Sequence, residues 1–184
     1  MIKKIVVLFS GEGSNLQNLI TSLPCNINIV AAITNKPDAG GIQKANRANI
    51  PVYVLEHTGF DAREAFDDAL VSMIQDIEHD LVVLAGFMRI LTPHFTKNIK
   101  SINLHPSLLP LFKGAKAIER SFESEEKKGG ISVHWVSEEL DGGTIILQKS
   151  FLKNSDETLD NFKKKIQSLE YELLPLAIEK ILLE

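Results

Sequence analysis

The run Ile5-Val6-Val7-Leu8-Phe9 constrains the fold more than any other stretch of the chain. It has no polar residue to turn toward water, so both of its faces must be covered, as in a central parallel strand. β-Branched or apolar runs recur at Ile27–Ile33, Pro51–Leu55, Leu81–Ala85 and Ser101–Leu104. Helical patterns separate them. One helix opens near Leu16, a short one covers Ile42–Ala48, and Asp61–Gln75 carries Phe66, Leu70 and Ile74 on one face. Thr92-Pro93 reads as an N-cap followed by a proline in the first helical position. Strands alternating with helices predict an α/β fold, a doubly wound, Rossmann-like and mainly parallel sheet. Beyond Pro110 the pattern changes. A helix over Ala115–Ser124 is expected to break at Gly129-Gly130, and β runs at Ile131–Val136 and Thr144–Leu152 predict a C-terminal antiparallel hairpin with a long loop. Ser155 or Asp156 is then placed to cap a long helix whose stripe is Leu159, Phe162, Ile166, Leu169 and Leu173, kinked or interrupted at Pro175.

The 184 residues suit a single domain with a sizeable core, and no linker divides them. A net charge of −4 gives no general electrostatic reason to bind nucleic acid or an anionic membrane. The single cysteine, Cys25, excludes an intrachain disulfide and fits a reducing compartment, with the cytoplasm as the expected location. Lys3-Lys4 and the apolar run after them are too short for a signal peptide and lead into Ser10-Gly11. No stretch approaches the length of a membrane span.

The chemistry-bearing residues fall in three places. The first is the loop Ser10-Gly11-Glu12-Gly13-Ser14-Asn15, between a strand and a helix. Free amides at a helix N-terminus suit a phosphate. Leu16 stands where a dinucleotide fingerprint needs a third small residue, and Thr34-Asn35 where it needs an acid. A phosphate monoester fits better than a nicotinamide or a nucleoside triphosphate, and a plain strand-to-helix turn is the alternative. The second is Asn103-Leu104-His105-Pro106, in which an amide donor and an imidazole two residues apart share one face of a strand. That pair suits oxyanion stabilisation beside an acid/base group, and equally a hydrogen-bonded histidine at a strand end. The third is Asp141-Gly142-Gly143. Its carboxylate either bonds its own turn or reaches His105, raising the imidazole pKa and fixing its orientation. His134 either joins this cluster or packs in the core. His57, His79 and His94 show no ligand spacing, so no metal is expected. No nucleophile elbow is present either. Direct transfer between two bound substrates, assisted by acid/base chemistry, fits these features.

Asn103-Leu104-His105-Pro106-Ser107-Leu108-Leu109-Pro110 with Leu140-Asp141-Gly142-Gly143 resembles the 10-formyltetrahydrofolate-dependent formyltransferases. Ser10-Gly11-Glu12-Gly13-Ser14-Asn15-Leu16-Gln17 and Leu84-Ala85-Gly86-Phe87-Met88-Arg89-Ile90-Leu91 are similar to the members that act in purine synthesis, and the similarity runs from about residue 3 to 176. The resemblance implies transfer of a formyl group from 10-formyltetrahydrofolate, as co-substrate, to the amine of phosphoribosylglycinamide. It implies one formyltransferase domain, with residues 1–100 as the phosphate-binding half and 101–184 as the catalytic and folate-binding half. Gly13, Ser14 and Asn15 would hold the phosphate, and Gln167 and Glu170 the rest of that substrate. The folate would meet Arg63, the backbone of Met88, Arg89, Ile90 and Leu91, Asn103, and the loop of Ser137, Glu138, Glu139, Leu140 and Asp141. Asn103, His105 and Asp141 would be catalytic. The partners expected are small molecules, without nucleic acid or membrane, for a monomer or homodimer. Lys113-Gly114-Ala115 departs from the Pro-Gly pair usual in these relatives and is similar to the tRNA-directed branch. Another formyltransferase, or a formyltetrahydrofolate hydrolase, stays open as the alternative.

Overall fold

The computed structural model describes residues 2–183, and among them lie seven strands and six α-helices. They divide into two compact units, the first ending at Ile102 and the second beginning at Asn103.

In the first unit, β1 (Lys3–Phe9), β2 (Ile27–Thr34), β3 (Val52–Val54) and β4 (Leu81–Leu84) pair in parallel in the order β3-β2-β1-β4. Ile5 through Phe9 are fully buried, as an apolar run between two strand neighbours requires. The helices are α1 (Ser14–Ser22), α2 (Gly41–Arg47), α3 (Arg63–Gln75) and α4 (Pro93–Asn98). On α3 the expected face of Phe66, Leu70 and Ile74 is buried. Helix α1 starts two residues before the predicted point, because Gly13 at φ 68° turns the chain directly into it. A side chain there would be strained, and its Cβ would lie 2.5 Å from the backbone of Gly41.

The division falls within β5 (Ser101–His105), which the second unit continues in the order β5-β6-β7. Strands β6 (Lys128–Trp135) and β7 (Ile145–Leu152) form the antiparallel hairpin, with Ser132 opposite Gln148. Gly129 and Gly130 do not break the chain as expected; they belong to β6. A Cβ on Gly130 would come 2.3 Å from the Lys149 carbonyl, and one on Gly129 2.6 Å from the Phe162 ring. The glycines are there for close packing, which a sequence pattern cannot separate from a turn.

Helix α5 (Ala117–Glu123) is shorter than predicted, since Lys116 at φ 54° sets its start. Its last carbonyls are met by a cation, the Lys153 ammonium contacting Ser121 O at 2.9 Å and Ser124 O at 2.7 Å. Helix α6 (Leu159–Leu183) runs through Pro175 without interruption. Its cap is neither Ser155 nor Asp156: Thr158 Oγ1 accepts the Asn161 amide at 3.3 Å. Of the predicted stripe, Phe162, Ile166 and Leu173 are buried, whereas Leu159 and Leu169 are partly exposed. The single cysteine, Cys25, is an exposed free thiol of the first unit, and the single tryptophan, Trp135, ends β6 in the second.

Candidate active site

Strand β5 delivers Asn103 and His105 to one side, as their i, i+2 spacing predicts. Asp141 arrives from the loop after β6, where it sits at φ 49°. Its carboxylate does not cap its own turn. Oδ1 accepts a hydrogen bond from Asn103 Nδ2 at 3.3 Å, and Oδ2 lies 3.3 Å from His105 Nδ1 and accepts the Gly114 amide at 2.8 Å. His134 belongs to the same cluster. Its Nδ1 donates to the Trp135 carbonyl at 2.9 Å, which leaves Nε2 facing Asn103 Nδ2 at 3.3 Å and Asp141 Oδ1 at 3.6 Å. The side chains of His105, His134 and Asp141 are 7%, 3% and 7% exposed, so their interactions are little screened by water.

The second nitrogen of His105 is also engaged, with Nε2 3.0 Å from the Phe112 carbonyl. Both ring nitrogens therefore face acceptors, an arrangement that only an imidazolium satisfies in full. Its environment nonetheless holds the His105 pKa below the ordinary histidine value. Burial is the largest influence and lowers it. The Phe112 carbonyl and the Asp141 charge push upward, and His134 and Arg120 add repulsion. Asp141 thus pushes the His105 pKa upward in the expected direction, and burial outweighs the carboxylate in the sum. The Asp141 carboxyl lies below its ordinary value. Burial raises it, but His134, the Gly114 amide and the His105 charge together outweigh burial.

Residues invisible to motif reading hold this cluster. Ser132 Oγ, in the buried middle of β6, donates to the Ser107 carbonyl at 2.7 Å and accepts from the Leu109 amide at 3.0 Å and Gln148 Nε2 at 2.8 Å. One hydroxyl is thereby fully used in fixing the chain just past His105. Phe112, at φ 57°, and Gly114 contribute only backbone groups. No side-chain signal could have singled them out. The Lys113 ammonium meets Glu139 Oε1 at 2.6 Å, tying the segment after Pro110 to the loop that carries Asp141.

In the first unit, Gly13, Ser14 and Asn15 form the opening turn of α1, as the glycine-rich loop predicts. Gly13 and Asn15 are buried and Ser14 is partly exposed. The Lys44 ammonium, which the motif reading did not select, bonds the Glu12 carbonyl of this loop at 2.5 Å. Met88, Arg89, Ile90 and Leu91 follow β4. Met88 is 74% and Ile90 56% exposed, while the Arg89 guanidinium lies 4.7 Å over the Phe66 ring. Arg63 stands exposed at the start of α3 beside Glu64. In the second unit, Ser137 Oγ donates to the Glu139 carbonyl, Glu138, Glu139 and Leu140 are exposed, and Gln167 and Glu170 lie on α6. Among the described residues no three His, Cys, Asp or Glu side chains gather where they could hold a metal ion. Among them, too, no helix is long and apolar enough to cross a membrane.

A mainly parallel sheet whose strand β5 carries an amide and an imidazole beside a carboxylate from the loop after β6 fits a group-transfer enzyme, and the chain belongs to the formyl transferase family, whose profile matches residues 3–178. Among its relatives is the phosphoribosylglycinamide formyltransferase of Haemophilus influenzae, 39% identical over 97% of this chain and 86% of that one. The enzyme of the same name from Escherichia coli is 40% identical over 95% of this chain and 84% of that one. The crystal structure of phosphoribosylglycinamide formyltransferase from Campylobacter jejuni superposes with a TM-score of 0.95 at 52% identity, covering 98% of each chain.

Proposed function

We propose that this chain transfers the formyl group of 10-formyltetrahydrofolate to the amine of phosphoribosylglycinamide, giving formylglycinamide ribonucleotide and tetrahydrofolate in purine biosynthesis. The observation that carries this reading is the convergence of Asn103, His105 and Asp141 in a chain so similar to enzymes of that name. The acceptor amine attacks the formyl carbon. The carbonyl oxygen becomes an oxyanion held by Asn103 Nδ2 and by His105 as an imidazolium, a form that the new negative charge favours against the burial that lowers its pKa. The amine loses its proton, and N10 of the folate leaves protonated. Asp141 holds His105 in register and helps relay the proton. In the free protein these donors are satisfied internally by long contacts of 3.3 Å and by the Phe112 carbonyl, so the substrates have to take them over.

The acceptor's phosphate is bound by Gly13, Ser14 and Asn15, whose position at a helix N-terminus supports an anion site. Gln167 and Glu170 bind the remainder of that substrate. The folate lies on the backbone of Met88, Arg89, Ile90 and Leu91, the loop of Ser137, Glu138, Glu139, Leu140 and Asp141, and Arg63. Both units serve this one reaction as a single formyltransferase domain. The enzyme acts on small molecules as a monomer or homodimer, without nucleic acid, and works in the cytoplasm, where a free exposed thiol such as Cys25 stays reduced.

The test is incubation with 10-formyltetrahydrofolate, with and without phosphoribosylglycinamide, following tetrahydrofolate release. Release only with the amine is the expected result. Release without it identifies a hydrolase, and none with this amine overturns the acceptor assignment.

A further inference from the structure

Past Ala85, whose amide bonds the Leu8 carbonyl of β1 at 2.9 Å, the segment after β4 is fastened at two points by Ser10. The Ser10 amide donates to the Gly86 carbonyl at 3.1 Å, and its Oγ accepts the Met88 amide at 2.8 Å. A serine hydroxyl carries one hydrogen, and here Ser10 Oγ donates it to Asn35 Oδ1 at 2.5 Å. Asn35 therefore sets the rotation of the hydroxyl, turning a lone pair toward Met88. Asn35 is itself held, its backbone carbonyl lying 3.0 Å from His57 Nδ1. Ser10 and Asn35 are 3% and 1% exposed, so a lost partner is not readily replaced by water. The clamped segment nevertheless holds two large apolar side chains in solvent, Met88 at 74% and Ile90 at 56% exposure. A buried polar relay that fixes a backbone while its apolar side chains face outward is an arrangement for presenting a surface to a flat, partly apolar ligand.

We infer that Ser10, oriented by Asn35, is a positioning residue for the formyl donor: it fixes the Met88–Leu91 backbone that receives the folate. This rests on the function proposed above. It differs from a merely structural role in its selectivity. Ser10 immediately precedes Gly11-Glu12-Gly13, so a general disturbance of the strand end would reach the phosphate loop and weaken the acceptor as well.

The test is steady-state kinetics of Ser10→Ala, Ser10→Thr and Asn35→Ala in the full chain, with amide exchange at Met88. Ser10→Ala is expected to raise the KM for 10-formyltetrahydrofolate about tenfold, as loss of one buried hydrogen bond suggests, leaving the KM for phosphoribosylglycinamide within about twofold. Met88 amide exchange should quicken, Ser10→Thr should restore both readings, and Asn35→Ala should repeat the defect should the threonine variant fail to fold. Equal changes in both KM values, or none in either, overturn the inference. Wild-type protein that releases no tetrahydrofolate overturns the parent reading instead, and is seen before any variant is made.

Discussion

At the residue scale, the cluster around Asp141 divides what a sequence can reveal from what it cannot. Asn103 and His105 were legible because a strand's two-residue period puts them on one face. That Asp141 reaches them, and that His134 joins, depends on a hairpin closing at Ser132 and Gln148, which no local pattern specifies. The Phe112 carbonyl and the Gly114 amide were illegible because every residue has such groups. Asn103→Ala and His105→Ala should each cut kcat by about 10²–10³, roughly 2.7–4 kcal/mol of transition-state stabilisation. Near-normal turnover in either variant would remove that residue from the mechanism. Asp141→Asn removes a charge that pushes the His105 pKa upward, so the imidazole should titrate at still lower pH, as NMR of its ring protons would report. An unchanged or higher value would mean that the carboxylate is not the partner in solution.

At the scale of elements, helix and strand types followed from period and composition, while several boundaries followed from contacts across the fold. Gly129-Gly130 read as a break because glycine punctuates both turns and crowded strands. The crowding comes from Lys149, Phe151 and Phe162, which are remote in sequence. Gly130→Ala should therefore cost about 1–3 kcal/mol, as overpacking does, seen as a lower urea midpoint at unchanged slope. The start of α6 was ambiguous since Ser155, Asp156 and Thr158 are all competent caps, and only backbone geometry selects Thr158. Thr158→Ala should lower stability by about 0.5–2 kcal/mol. If Ser155→Ala costs more than Thr158→Ala, that cap is misassigned.

At the scale of the whole molecule, proton binding links the site to stability. The His105 pKa is lower folded than its unfolded value of about 6.5, so on acidification the unfolded chain takes up that proton first. This contribution is complete above about pH 6.5 and disappears as the pH falls through the folded value. Asp141 acts in the same sense further down: its contribution is complete above about pH 3.9 and is lost as the pH falls through its lowered folded pKa. Between about pH 7.5 and 5.5 the wild-type urea midpoint should drop by more than that of His105→Gln. Equal drops would show that the imidazole is not held below its free value.

The placement of Cys25 and Trp135 has a practical consequence, because the chain holds one thiol and one indole and they belong to different units. A dye attached at position 25 and the intrinsic fluorescence at 135 give each half its own optical signal without any engineering. Heating or denaturant can then be followed simultaneously in both, and two superimposable melting curves would establish that the halves come apart in a single concerted event.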